Sequence, residues 1–172
     1  MQVLDGAVLG SPALGSAHDL YVGTYGATLY ALGTTDGKTL WSKPASSWIW
    51  AGPVSDGTNL YVGDANGKLV AFPVSGGAKL WEKDLNGAIV GSPCIWDGNI
   101  VVGTEAGTVY FIDPTGKLLQ TVTLSTTMKV YATPAAAGTL ALVAPTSTAS
   151  TDPVLVALDA AGATKWSFIP PK

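Results

Sequence analysis

Asp97-Gly98-Asn99-Ile100-Val101-Val102-Gly103-Thr104-Glu105-Ala106-Gly107-Thr108-Val109-Tyr110-Phe111-Ile112-Asp113-Pro114-Thr115-Gly116 reads as turn, strand, turn, strand, turn. Asp-Gly is a two-residue hairpin signal, because glycine reaches the positive φ that such a turn needs at no steric cost. Residues 100–103 and 108–112 are runs of β-branched and aromatic side chains, which fit a pleated surface. Asp113-Pro114-Thr115-Gly116 is a turn in which proline presets φ at the second position. Working outward, residues 88–95 read as an inner strand and 117–124 as an outer one. Four short strands joined by three hairpins make one antiparallel sheet.

The same unit recurs along the whole chain. Pro12, Pro53, Pro93 and Pro134 stand 41, 40 and 41 residues apart. A second strand follows each proline, at 20–23, 60–63, 100–103 and 140–144. The third strand follows at 28–32, 68–72, 108–112 and 154–158. A glycine turn then leads to a tryptophan slot: Gly37 to Trp41, Gly77 to Trp81, Gly116 to Gln120, Gly162 to Trp166. The repeats run over about 7–43, 48–85, 88–124 and 129–168 within one domain, 1–172. A fixed period of this length, built only of strands, predicts an all-β fold of stacked four-stranded antiparallel blades, a β-propeller. The nearly continuous apolar middle strands fit sheets buried on both faces. Trp41, Trp81 and Trp166 are expected to lie over the turn of an adjacent blade, each burial contributing about 2–3 kcal/mol. Gln120 in that slot makes the third junction the expected weak one.

Composition narrows the function. The chain is 47% hydrophobic, enough for a core, but only 12% charged. It has no arginine, and a net charge of −3 gives no electrostatic case for nucleic acid or an anionic membrane. No run approaches the ~20 apolar residues of a membrane span. Residues 1–10 lack the basic start and apolar core of a signal peptide. The chain is therefore either cytoplasmic or exported by a signal outside this sequence. The low charge and abundant Thr, Ser, Ala and Gly favour an exported setting: periplasmic, cell-surface or extracellular.

The combination Asp19-Leu20-Tyr21-Val22-Gly23 with Leu29-Tyr30-Ala31-Leu32, and Asn59-Leu60-Tyr61-Val62-Gly63 with Asp36-Gly37-Lys38-Thr39-Leu40-Trp41, resembles the PQQ-like repeat. Quinoprotein dehydrogenases, outer-membrane assembly lipoproteins similar to BamB, and sensor ectodomains share it, so it implies fold rather than function. The resemblance implies rings of seven or eight blades, and four repeats then make half of an eight-bladed ring. Leu4-Asp5-Gly6-Ala7-Val8 aligns with Leu85-Asn86-Gly87-Ala88-Ile89. A half-ring has two bare apolar faces, which are costly in water. Either two chains pair, or the missing blades lie on another polypeptide, or four blades close alone. Self-association or a protein partner is the favoured expectation.

The links between blades differ most, and there a contact surface is expected. Trp48, Trp50, Met128 and Tyr131 either ring the mouth of the central channel as an aromatic contact surface or plug the channel and pack between blades. The stretch 145–153, bounded by Pro145 and Pro153, reads as an exposed mobile loop.

Asp64-Ala65-Asn66-Gly67 opens like a calcium loop, but Ser75 stands at the twelfth position, so a β-turn is the better reading. His18, the sole histidine, excludes a multi-histidine zinc site within one chain. Cys94 is the sole cysteine and reads as a small buried residue. No Gly-x-Ser-x-Gly elbow or phosphate loop is present. The family resemblance implies an adjacent cysteine pair and a calcium site in PQQ-binding members. One cysteine and no arginine argue against PQQ or calcium here. No catalytic, cofactor or metal residue is therefore assigned. The leading expectation is a non-catalytic interaction scaffold or surface or sensor domain. The alternatives are a fragment of a PQQ-dependent oxidoreductase with its ligands elsewhere, and a truncated or engineered propeller fragment.

Overall fold

The computed structural model describes residues 3–15 and 19–171. Four antiparallel sheets follow one another along the chain. Blade 1 is β1 (Ala13–Leu14), β2 (Asp19–Gly23), β3 (Thr28–Gly33) and β4 (Thr39–Pro44). Blade 2 is β5 (Val54–Ser55), β6 (Asn59–Gly63), β7 (Lys68–Pro73) and β8 (Trp81–Asp84). Blade 3 is β9 (Cys94–Trp96), β10 (Asn99–Gly103), β11 (Thr108–Ile112) and β12 (Leu118–Thr123). In the fourth repeat β13 (Met128–Lys129) precedes the blade strands β14 (Ala135–Ala137), β15 (Leu140–Val143), β17 (Leu155–Leu158) and β18 (Thr164–Phe168), and β16 (Thr146–Ser147) lies in the hairpin between β15 and β17. Strand order in every blade is sequence order from the axis outward. The innermost strands β1, β5, β9 and β14 lie side by side around that axis.

The Asp97-Gly98 hairpin has φ of 49° and 73° at its two central residues, the paired positive values of a type I′ turn. The inner strand is shorter than 88–95. Residues 88–93 instead cross between blades, and their hydrogen bonds go to neighbouring turns: Ile89 N–H donates to the Asp64 carbonyl, and the Ala88 carbonyl accepts from Glu105 N–H. Pro93 has no N–H to give a ladder, so pairing begins only at Cys94.

The core lies between blades. Tyr61, Leu69 and Ala71 of blade 2 pack with Ile89, Ile100, Val102 and Ile112. Val101, Val109 and Phe111 of blade 3 pack with Val130, Ala141, Val156 and Leu158. In blades 1 to 3 the glycine that ends the second strand accepts a β-branched side chain from the following link. A Cβ built on Gly23, Gly63 or Gly103 would overlap Ile49, Ile89 or Val130 respectively. Each link is also tied by its backbone, Ile49 N to Thr24 O and Val130 N to Thr104 O, both at 3.1 Å.

The outer strands carry the slot residues. In blades 1, 3 and 4 a register shift falls just before Trp41, Gln120 and Trp166. Such a bulge re-aims the side chain that follows it. Trp41 lies against Gly76 of the next blade, and its Nε1 donates to the Val74 carbonyl at 3.3 Å. Trp81 lies against Gly116, and its Nε1 donates to the Pro114 carbonyl at 2.9 Å. At the third junction Val122, with Gln120 beside it, covers Gly162. Trp166 lies on the fourth blade and is 44% exposed.

The four blades form an open arc. Leu60, Val70 and Phe72 of blade 2 are buried against blade 1, whereas Leu20, Tyr30 and Leu32 at the same register positions of blade 1 are half-buried. Closure of four blades alone would bury both sets equally.

Candidate contact surface

The links and the turns between second and third strands lie together along one rim of the arc, joined by backbone hydrogen bonds. Trp48 N-terminal to Ile49 is held there by its carbonyl, which accepts from Ala65 N–H at 3.0 Å. With Ile49 committed to the Gly23 slot, its flanking residues Trp48 and Trp50 face outward, 47% and 44% exposed. Tyr25, in the β2–β3 turn, stacks on Trp48 with ring centroids 4.5 Å apart and meets Trp50 edge-on at 6.0 Å. Three exposed rings thus form one continuous group. Tyr25 was not legible as a partner in sequence, although its turn aligns with Ala65 and Glu105 in the next two repeats.

Tyr131 belongs to a second group at the link between blades 3 and 4. Its hydroxyl donates to Glu105 Oε1 at 3.1 Å, and Lys129 Nζ lies 2.8 Å from the same oxygen. The hydrogen bond from Lys129, then that from Tyr131, holds the Glu105 carboxyl below its ordinary range.

Of its two readings, Met128 departs from the contact surface and fits the packed one: it is only 6% exposed and is not a surface residue. The reason is the 145–153 stretch, which is not a free loop. Thr146–Ser147 pairs with Met128–Lys129, and Asp152 accepts hydrogen bonds from Thr127 Oγ1 at 2.6 Å and Ser147 Oγ at 2.5 Å. This folds the insertion over the link and covers Met128.

Nearer the axis, Pro12, Ala13, Pro53, Val54, Pro93 and Thr133 line an open cleft of about 440 Å³. Trp50 and Tyr131 each stand three residues before a repeat proline at this rim.

The chemistry-bearing residues are dispersed. Asp64 Oδ1 accepts from Asn66 and Lys68 N–H, and Oδ2 from the Ser46 N–H and hydroxyl. Its oxygens are thus used in a β-turn that fastens a link. Burial pushes the Cys94 thiol up to about 11, so it carries little thiolate at neutral pH. Among the described residues no three of His, Cys, Asp and Glu gather closely enough to hold a metal ion. His18 lies outside the described residues.

The family model described as outer membrane protein assembly factor BamB matches residues 45–168. No curated protein matches the chain. Among solved structures, BamB from Moraxella catarrhalis superposes with a TM-score of 0.82 at 19% identity, covering 96% of this chain and 51% of that one. Quinohemoprotein alcohol dehydrogenase from Comamonas testosteroni gives 0.79 at 15% identity, covering 95% of this chain and 35% of that one. The computationally designed Ika4 protein gives 0.72 at 16% identity, covering 97% and 94%. At these identities the likeness is one of fold. The chain spans about half the length of the BamB structure and about a third of the dehydrogenase.

Proposed function

Since the chain belongs to the PQQ-like repeat family of the outer membrane protein assembly factor BamB, we propose that it is a non-catalytic propeller module, a rigid platform for protein contacts. The carrying observation is the exposed Tyr25–Trp48–Trp50 group. Rigid aromatic rings offer a large contact area at low entropic cost and are over-represented where proteins meet. Their backbone is held by the blade–link hydrogen bonds, so the surface is organised before a partner arrives.

Protein contacts also cover the two open ends of the arc. An exported setting, periplasmic or cell-surface, accords with the family description and with the sparsely charged composition. PQQ and calcium do not fit the residues present. Asp64 is engaged by its own turn, Cys94 stands alone on an inner strand, and no arginine is available to clamp a quinone carboxylate.

Two measurements test this reading. Titration with PQQ and calcium is expected to give no saturable change in cofactor absorbance and no dye reduction. Saturable binding with dye reduction would move the chain to the oxidoreductase class. A photo-crosslinker at position 50 is expected to trap a discrete protein partner, and Trp48→Ala is expected to abolish that product. Crosslinks that are diffuse and indifferent to Trp48→Ala would contradict the contact surface.

A further inference from the structure

We propose that the two bare faces of the arc are complementary halves of one blade junction, and that a second copy of this chain covers them. This deepens the contact-module reading and rests on it. The three internal junctions supply the template. In each, the forward face of one blade offers the residues at the positions of Tyr21 and Leu29, which are buried in blades 1 to 3. The same positions in blade 4 are Leu142 and Leu155, and both are half-buried. The opposite face of the next blade offers Leu60, Val70 and Phe72, or Ile100, Tyr110 and Ile112, all buried. In blade 1 these positions are Leu20, Tyr30 and Leu32, half-buried. One chain therefore presents a forward apolar face at one end and a receiving apolar face at the other.

The outer edge shows the same match. Trp166 pairs with Ala157 as Trp41 pairs with Ala31 and Trp81 with Ala71, so its ring is presented in register. The turn that would receive it is built on Gly37, at φ 67°, with nothing near its Cβ position. The equivalent Gly76 and Gly116, at φ 82° and 87°, lie against the Trp41 and Trp81 rings. A two-fold axis brings Trp166 of each copy to Gly37 of the other, so both junctions form together and the assembly closes. The arc has the curvature this requires, since it superposes on about half of the BamB chain.

One position sets the strength. Val8 is the link residue equivalent to Ile49, Ile89 and Val130, and it is exposed. Its slot in the second copy is Ala144, not glycine. The internal slots have no room for a Cβ beside the link side chain, so Val8 cannot seat fully. The copy–copy junction is consequently weaker than the internal ones, and the pair is reversible.

Sedimentation equilibrium of the purified chain over a wide concentration range tests this. The mass is expected to rise from 17.5 kDa to twice that value and to stop there. Trp166→Ala and Leu20→Asp, on opposite faces, are each expected to weaken pairing about tenfold or more. Ala144→Gly is expected to tighten it, and Lys117→Ala, at an exposed turn of blade 3 away from both faces, to leave it unchanged. Circular dichroism on dilute protein checks that each variant is folded. A folded monomer at every concentration, open-ended polymers, or a dimer indifferent to both face variants would overturn the proposal. None of these results would touch the Trp48–Trp50 reading, which has its own crosslinking test.

Discussion

Ile49 fills the space that Gly23 leaves by having no side chain. Ile89 does the same at Gly63, and Val130 at Gly103. The pairing joins the end of a blade's second strand to the link entering the next blade. Gly63→Ala should therefore lower stability by about 3 kcal/mol through overpacking, because Ile89 has no free direction in which to move. Thermal melting is expected to fall by about 2–4 °C per kcal/mol in a chain of this size. A melting point within 1–2 °C of the wild type, on the same approximate scale, would refute the slot.

Ala27 adopts φ 64° in a turn where the matching residues of the next two blades are Gly67 and Gly107, at 80° and 74°. A Cβ in the left-handed region costs about 1 kcal/mol. Ala27→Gly is expected to raise stability by roughly that amount, less the extra freedom it gives the unfolded chain. Chemical denaturation would register this as a higher midpoint at unchanged slope.

Trp81 combines burial against the blade 3 turn with a hydrogen bond to Pro114 and a neighbouring Tyr61 ring at 5.8 Å. Trp81→Ala should cost about 3 kcal/mol. In dilute solution Trp166→Ala should cost less than Trp81→Ala, since the Trp166 ring is 44% exposed whereas Trp81 is held against the blade 3 turn. Equal losses for the two variants in the melting experiment would contradict the assignment of Trp166 to an open edge.

These contrasts show where sequence was legible. The Asp97-Gly98 turn, the middle strands and the phase of the prolines all follow from local chemistry, so blade architecture was readable. The Gly23–Ile49 lock was not, because it couples residues 26 positions apart that are individually ordinary. Its signal is a strand-final glycine followed by a β-branched residue 26, 26 and 27 positions later in three successive repeats. Sequence does not decide between packing and exposure for Met128 for a related reason: what pairs over it is Thr146–Ser147, an insertion that occurs in one repeat only. In the contact surface Trp48 and Trp50 could be singled out as variation between copies, but the ring that organises them, Tyr25, sits in another element.

Tyr61 is buried, and its hydroxyl donates to Asp56 Oδ2 at 2.6 Å. Burial first, and the hydrogen bond to Asp56 second, push the phenol from its ordinary 10 up to about 12. A folded-state value above the unfolded one gives a contribution that is complete below pH 10 and lost as pH rises from 10 towards 12. A tyrosinate absorbance titration is expected to show a late-ionising group that Tyr61→Phe removes. The same variant should flatten part of the alkaline loss of melting temperature. Ionisation of all tyrosines in one step at their ordinary value would contradict the buried phenol.

Hydroxyl-radical footprinting of the dilute chain, read by mass spectrometry at each tryptophan, tests the stacked-blade arc most directly. Trp96 should be oxidised most slowly, Trp41 and Trp81 at intermediate rates, and Trp48, Trp50 and Trp166 fastest. Oxidation of Trp41 and Trp81 as rapid as that of Trp166 would contradict blades locked to one another by their outer-strand rings.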